Sequence, residues 1–451
     1  MKSSKANAEQ KSWFFYDWAN SAYITTIATV LYAPYLTSVA ERAACGFAGD
    51  ADRKCTENLS ILGLSVSAGS LVFYVVTLAT VLSAFILPIV GAIADRVQSK
   101  KTMMARLAWS GAAVAALMFF VTGTNWQLGA GLLIVANLFY ASSIVVYDAI
   151  LVEVAGPDER DRISSQGWAF GYLGGGLLLA INLALVTVKP FGLSTELAVR
   201  LSLLSAAIWW AYFTFIPYRR IKDRPPRGVA PAEGVTLVQR SFGQLFRTLK
   251  ELRNYPQTLL FLAAYLFYND GIQTVIYSAT VYGDKELGFG TSTLIATILI
   301  VQFVAFGGAL LFGRLAARIG AHKTILGGLV VWVFVVCFGF FLPEKQIAPF
   351  LLLAVAIGLV LGGTQALSRS FFSQLIPHGR EAEYFSLYQA CERGTSWLGT
   401  LVFGVVHQLT GSYRPAILAL IAFFVIGGAL LWKLDPERGI VEAGNRPPAL
   451  V

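Results

Sequence analysis

Gly91-Ala-Ile-Ala-Asp95-Arg96-Val-Gln-Ser-Lys100-Lys101 follows directly on a long apolar run, and 222 residues later Gly313-Arg-Leu-Ala-Ala317-Arg318-Ile-Gly320-Ala-His322-Lys323 repeats its spacing. A second pair shares nearly the same offset: Pro157-Asp-Glu-Arg160-Asp161 is echoed by Pro377-His-Gly-Arg380-Glu381. A weaker echo links Phe15-Tyr16-Asp17 with Phe267-Tyr268-Asn269-Asp270. A period of about 220 in a chain of 451 residues means two halves, each carrying the same elements in the same order.

The apolar segments agree with that division. Working outward from the two basic loops, windows recur at 13–39, 67–94, 103–122, 127–151, 166–188 and 197–217, and again at 258–282, 292–317, 324–342, 349–371, 384–409 and 415–432. Each is near the roughly 20 residues needed to cross a bilayer as a helix. The runs are continuous rather than alternating, so helices are expected and a β-barrel is not. Composition points the same way. The chain is 56% hydrophobic with a mean hydropathy of +0.63, and only 14% is charged, against about 25% in soluble domains. The first window is too long and aromatic for a cleavable signal peptide. The expected fold is all-α, with twelve transmembrane helices in two pseudo-symmetric six-helix bundles. Its units are 1–217, a cytoplasmic linker at 218–256 with a basic amphipathic stretch, 257–433, and a cytoplasmic tail at 434–451.

A net charge of +9 would suggest nucleic acid on a soluble protein. Here its placement matters more. Assigning the N-terminus and alternate loops to one side puts 26 of the 35 Lys and Arg residues on that side. Eight lie on the other side, and Arg393 falls inside a window. Cytoplasmic loops carry such an excess, so both termini are expected in the cytoplasm and no nucleic-acid partner is expected.

The Gly91–Lys101 loop resembles the signature of the major facilitator superfamily, which implies a gate hinge made of Gly91, Asp95, Arg96, Lys100 and Lys101, with Arg318 in the second copy. A narrower resemblance covers nearly the whole chain. Trp13-Phe-Phe-Tyr16-Asp17-Trp18-Ala-Asn20-Ser21-Ala-Tyr23, Arg160-Asp161-Arg-Ile-Ser164-Ser165-Gln-Gly167-Trp168, Tyr268-Asn269-Asp270-Gly271-Ile-Gln273-Thr274, Ser368-Arg369-Ser370 and Phe385-Ser386-Leu387-Tyr388 are similar to motifs of the vacuole-effluxer-like, or unknown major facilitator, family. The resemblance implies a secondary transporter, whose fungal branch moves amino acids out of the vacuole. The short N-terminal lead is closer to bacterial members, which implies a bacterial inner (plasma) membrane.

Ionisable groups within spans are expensive and are functional candidates by default. Asn269, Asp270, Gln273 and Thr274 share one broad helical face, which Tyr277 continues. Tyr388, Glu392 and Ser396 form one stripe at i, i+4 and i+8, with Gln389 and Arg393 beside it. A carboxylate and a guanidinium facing one cavity suit a zwitterionic or polar solute. Structural ion pairing, such as Arg393 with Asp270, is the alternative. Asn20 and Tyr23 lie early in the first span, and Asp17 there is open to roles as gate, substrate contact or cap. Asp148 and Arg369 occupy matching ends of the fourth and tenth spans, as gate charges that pair on closure. Arg160 and Arg380 are expected to hold the loops that follow. Gly167, Gly171 and Gly174–Gly176 read as close helix packing. Cys45 and Cys55 share a predicted external loop, where a disulfide is open.

The three His are isolated, so neither a catalytic pair nor a metal or cofactor site is expected, and the chain reads as no enzyme. The leading expectation is a monomeric secondary transporter in contact with lipid. It would move a small polar solute, most readily an amino acid, by alternating access, with Asp270 or Glu392 able to carry a coupling proton. The rival is an exporter of amphipathic drugs or lipids, for which the 13% aromatic content would line an apolar cavity.

Overall fold

The protein is described from a computed structural model covering residues 6–48, 55, 57–61, 63–225, 248, 250–394 and 396–450. Helix α1 (Ala8–Ala22) opens on a reciprocal cap: the Asn7 side chain accepts the Gln10 N–H, and the Gln10 side chain accepts the Asn7 N–H. It continues through a π-helical stretch, Tyr23–Leu31, into α2 (Tyr32–Cys45). The Thr25 hydroxyl bonds the Ser21 carbonyl at 2.8 Å, and the Tyr32 N–H reaches back five residues to the Ile27 carbonyl. A threonine competing for backbone acceptors, in a run of β-branched residues, loosens the helix at this point.

A two-stranded antiparallel hairpin, β1 (Asn58–Ile61) and β2 (Leu64–Ser67), follows. The Cys45–Cys55 disulfide closes the loop leading to it. Helices α3 (Leu71–Ala94), α4 (Lys100–Leu117), α5 (Trp126–Val154), α6 (Arg160–Val188) and α7 (Thr195–Arg220) complete the first half. The second half contains α8 (Pro256–Lys285), α9 (Thr291–Ile319), α10 (Ala321–Phe340), α11 (Ile347–Gln374), α12 (Glu381–Gly394), α13 (Ser396–Thr410), α14 (Tyr413–Ala419) and α15 (Ile421–Trp432). A short α16 (Pro436–Glu442) lies in the tail.

Ten stretches of described helix are long and apolar enough to cross a membrane. The other two expected windows are helical but divided. One is split by the π-helical stretch, and the other is described as α12 and α13 on either side of Thr395, which lies outside the described residues; its polar residues lower its hydropathy. Large apolar side chains point outward around the bundle, including Phe73 at 73% and Trp432 at 75% exposure, as expected of a surface solvated by lipid. Most of the expected linker at 218–256, including most of its basic amphipathic stretch, lies outside the described residues.

The end of the bundle bearing Lys100, Lys101, Arg160 and Arg380 is here called the basic end. Across the halves, α3 and α5 pack against α12, and α6 packs against α9 and α11. The hydrogen bonds that join the halves among the described residues lie toward the basic end. A Cβ on Gly91 would lie 2.5 Å from the Ala382 carbonyl oxygen, and one on Gly313 would lie 2.7 Å from the Ser165 Cβ. Toward the opposite end the halves diverge. There α13 packs on α8 and α14 of its own half, and the far end of α6 is exposed at Ile181 and Val188.

The tail is held rather than hanging. The Asn445 side-chain amide donates to the Gln374 and Ile376 carbonyls at 2.8 and 2.7 Å, covering acceptors at the end of α11. Four residues on, the Ala449 N–H donates to the Asp158 carboxylate at 2.7 Å in the other half.

Candidate functional site

At the basic end, Asp95 ends α3 and accepts the backbone N–H groups of Ala382 and Glu383, each at 2.9 Å. These are donors of the first turn of α12, which has no earlier carbonyls to satisfy them, and its positive dipole end favours the carboxylate. Lys100 lies 3.5 Å from Asp95 and 3.0 Å from Glu153, with Glu381 at 3.9 Å. Burial, opposed by Lys100 and the two N–H groups, pushes the Asp95 carboxyl up to about 7. Lys101 ties to the Ile221 carbonyl at 2.8 Å and to Asp223 at 3.0 Å, on the chain leaving α7. Arg160 is buried and donates to the Ser373 carbonyl at 2.8 Å across the halves. Arg380 instead holds its own half, pairing with Glu383 at 3.0 Å and with Glu251. Arg96 and Arg318 are exposed, one in the turn after α3 and the other in the last turn of α9.

One layer deeper, Arg369 of α11 enters the first half. Its guanidinium lies 3.1 Å from Asp17 of α1 and 3.4 Å from Asp148 of α5, and it donates to the Ser164 hydroxyl at 2.9 Å and carbonyl at 3.1 Å. Trp13 lies under its face at 4.8 Å, with Tyr147 and Trp168 each at 5.4 Å. Tyr147 donates to Asp17 at 2.7 Å. A planar fork with five donors suits this setting, since one buried cation can serve two carboxylates and a hydroxyl.

The chain of polar contacts continues away from the basic end. The Gln389 side-chain amide donates to Asp148 at 3.0 Å and to Glu392 at 3.1 Å, and its oxygen accepts from Arg393 at 3.4 Å. The Arg393 guanidinium lies 5.0 Å above the Tyr140 ring, which packs on Tyr23 at 5.3 Å. Tyr277 is 59% exposed on α8. Glu392 and Arg393 are half-buried at the point where the halves begin to diverge.

The remaining candidates divide. Asn269 joins the polar group, donating to the Glu392 carbonyl at 3.2 Å and accepting from Gln365 at 2.8 Å. Asp270 stands apart from Arg393 and accepts the Gly399 N–H of α13 at 2.8 Å. Asn20 bonds the Tyr16 carbonyl of its own helix at 2.7 Å. Tyr388 is buried between Tyr265 and Phe372 at 4.3 and 5.1 Å, and Gln273 is half-buried on α8. Sequence reasoning passed over Tyr147, Tyr140 and Ser164. The seven-residue spacing from Tyr140 to Tyr147 puts both on one face of α5, beside the charged Asp148, and that pattern was available to find them.

The family model described as "Vacuole effluxer Atg22 like" matches residues 5–444. The chain belongs to this family. A curated relative, the uncharacterized MFS-type transporter YxiO of Bacillus subtilis, is 30% identical over 432 residues, covering 95% of each chain. Among solved structures, the human organic anion transporter MFSD10 (TETRAN) aligns with a TM-score of 0.67 at 14% identity, over 94% of this chain and 99% of that one. The E. coli fucose:proton symporter FucP aligns at 0.66 and 14%, over 95% and 98%. At such identity the structures show the fold alone, a multi-pass major facilitator fold; the family and its MFS-type relative make the chain a transporter.

Proposed function

We propose that this transporter moves a small polar solute, most readily an amino acid or related compound, by alternating access and with proton coupling. The observation carrying the proposal is the Glu392–Arg393 pair, held by Gln389 and placed beside Tyr140 where the halves diverge. A carboxylate can take an ammonium and a guanidinium can take a carboxylate, so the pair offers both ends of a zwitterion a partner. Membership in a family of vacuole effluxers supports the same class, and so does a fold shared with a fucose:proton symporter.

The basic end is the cytoplasmic face on this reading, and both termini lie there. A disulfide at the opposite end suits an oxidising exterior. The chain then stands outward-facing in a bacterial plasma membrane, functional as a monomer, with bundles at 1–217 and 257–433 joined by the linker. In the membrane core four carboxylates, Asp17, Asp148, Asp270 and Glu392, face two guanidiniums, Arg369 and Arg393. That excess of acids favours carrying a proton on at least one of them.

A thermal-shift screen of the purified protein against amino acids, peptides, nucleosides and lysolipids tests the proposal, followed by flux in proteoliposomes. Stabilisation by a zwitterion, lost in Arg393→Ala, is expected. Stabilisation by lysolipids alone would replace the proposal with export of amphipathic compounds.

A further inference from the structure

We propose that Asp270, and not Glu392, holds the coupling proton in this conformation, at a site closed by the α13 backbone at Gly399. This rests on the transport reading above and names the ion site within it. Asp270 and Thr274 are both fully buried on α8. One Asp270 oxygen, Oδ2, takes the Gly399 N–H at 2.8 Å. The other, Oδ1, has no hydrogen-bond partner among the described residues, and neither has the Thr274 hydroxyl oxygen. Both atoms lie against Gly399, where an added Cβ would stand 2.3 Å from Thr274 Oγ1 and 3.1 Å from Asp270 Oδ1. Two unpartnered oxygens therefore share a small closed space against the α13 backbone at Gly399.

Asp161 Oδ1 is likewise unpartnered, but it lies in the first turn of α6 at the basic end, and the other acids of the membrane core are answered. Asp17 and Asp148 have Arg369, and Glu392 has Gln389 with Arg393 beside it. The ionisable groups on helices packed against α8 are Arg369 of α11, His407 of α13, Arg314 and Arg318 of α9, and Glu381, Glu383, Tyr384, Tyr388, Cys391, Glu392 and Arg393 of α12, with Glu437, Arg438 and Glu442 on α16 and Arg253 on the 3-10 turn Leu252–Asn254. Helix α15 contributes none. No cation on any of them lies within ion-pairing distance of Asp270 among the described residues. A buried carboxylate oxygen with no donor is costly, and a proton bound there removes the charge and makes that oxygen a donor. The single N–H stabilises the anion without neutralising it, so the group is poised to exchange. Sodium binding would call for more oxygens than the two left open here. The step is –COO⁻ plus H⁺ giving –COOH, with the proton coming from water at the open end. Gly399 positions the site, because only a residue without Cβ lets the turn sit on both oxygens.

The test uses the full-length protein in lipid. A hydrophobic carbodiimide adds to protonated buried carboxyls, and the adduct is mapped by mass spectrometry across pH, in sodium and in choline buffer. Labelling at Asp270 that falls as pH rises, equal in both salts, is the expected result. Labelling at Glu392, Asp148 or Asp17 in place of Asp270 overturns the assignment, and so does loss of the label in sodium. Infrared titration of Asp270→Asn and Glu392→Gln gives an independent reading. Read as a difference from the parent protein, a component of the titrating carboxylic-acid band should be lost in the first and kept in the second, beside the Asp95 band that both retain; the reverse overturns the proposal. Neither measurement depends on the solute, so a polar-solute reading that fails in the thermal-shift screen leaves this result separately readable.

Discussion

The Asp95 carboxylate at the end of α3 accepts the Glu383 backbone N–H at 2.9 Å, so a residue of one half caps a helix of the other. The cap exists only while the basic end is closed. Removing it leaves two buried N–H groups, those of Ala382 and Glu383, without acceptors. Each such group costs about 1–3 kcal/mol. Asp95→Ala should therefore shift the population toward a state open at the basic end by at least tenfold. Distances between spin labels placed on α3 and α12 would show this; an unchanged distribution would count against the cap as a latch.

The same residue should make the latch sensitive to pH. Burial holds the Asp95 carboxyl up to about 7 in the closed form, against about 4 for a free aspartate. Opening rehydrates it, and its affinity for the proton falls. The closed form thus binds more protons between those values, and its advantage is full at the acidic limit and lost as pH rises through about 7. Spin-label distances across pH 5–8 should show the basic end opening as pH rises. Asp95→Asn should flatten that dependence, and a slope that survives in the variant would assign it to another group.

Gly91→Ala tests the packing of the same joint. The added methyl would lie 2.5 Å from the Ala382 carbonyl oxygen and 2.9 Å from the Glu383 Cα, and both are backbone atoms that cannot turn aside. Overpacking of this kind costs about 1–3 kcal/mol. Faster alkylation of a cysteine placed at position 382 is the expected readout, with no loss of expression.

Arg369 answers two carboxylates, so its removal should cost more than any single loop contact. Breaking a buried ion pair from one side costs about 3–5 kcal/mol. Arg369→Ala should lower the melting temperature sharply, and Asp17→Asn in the same chain should restore part of it. Arg369→Lys keeps the charge but loses the fork and the stacking over Trp13, so it should fold while transport drops more than tenfold. Normal flux in Arg369→Lys would show that the fork is dispensable.

Asn445→Ala removes two hydrogen bonds to the end of α11. Hydrogen exchange over 436–450 should rise, and exchange at 370–376 should rise with it, while α13 stays unchanged. Unchanged exchange at 370–376 would mean that the tail rests on the bundle without holding it.

The membrane fold was legible because its signal is repeated: long apolar runs, and the same basic loop twice. The latch residues were legible for the same reason, since Gly91, Asp95 and Lys100 stand at fixed spacing in one loop. Their partners were not. Nothing in Ala382 or Glu383 marks them as the backbone that Asp95 caps, because that pairing joins residues almost 290 positions apart through main-chain atoms. Asp270 shows the opposite difficulty. A lone acid in an apolar run advertises function, but an Arg393 pairing was as readable as isolation, and only the packing of α13 on α8 separates them. The first span was visible as a window, yet its π-helical stretch follows from a threonine hydroxyl that an average over apolar residues passes over.

The tail between Asn445 and Ala449 has a length as well as contacts. Four residue steps of extended chain reach about 14 Å at most. One end is fastened to α11 and the other to the Asp158 loop, in opposite halves. Any separation of those two points beyond that reach must detach one of the fastenings. The C-terminal residues therefore act as a ruler, setting how far the basic end can part before the clasp gives way, and a few residues inserted after Asn445 would lengthen the stroke without touching the pathway.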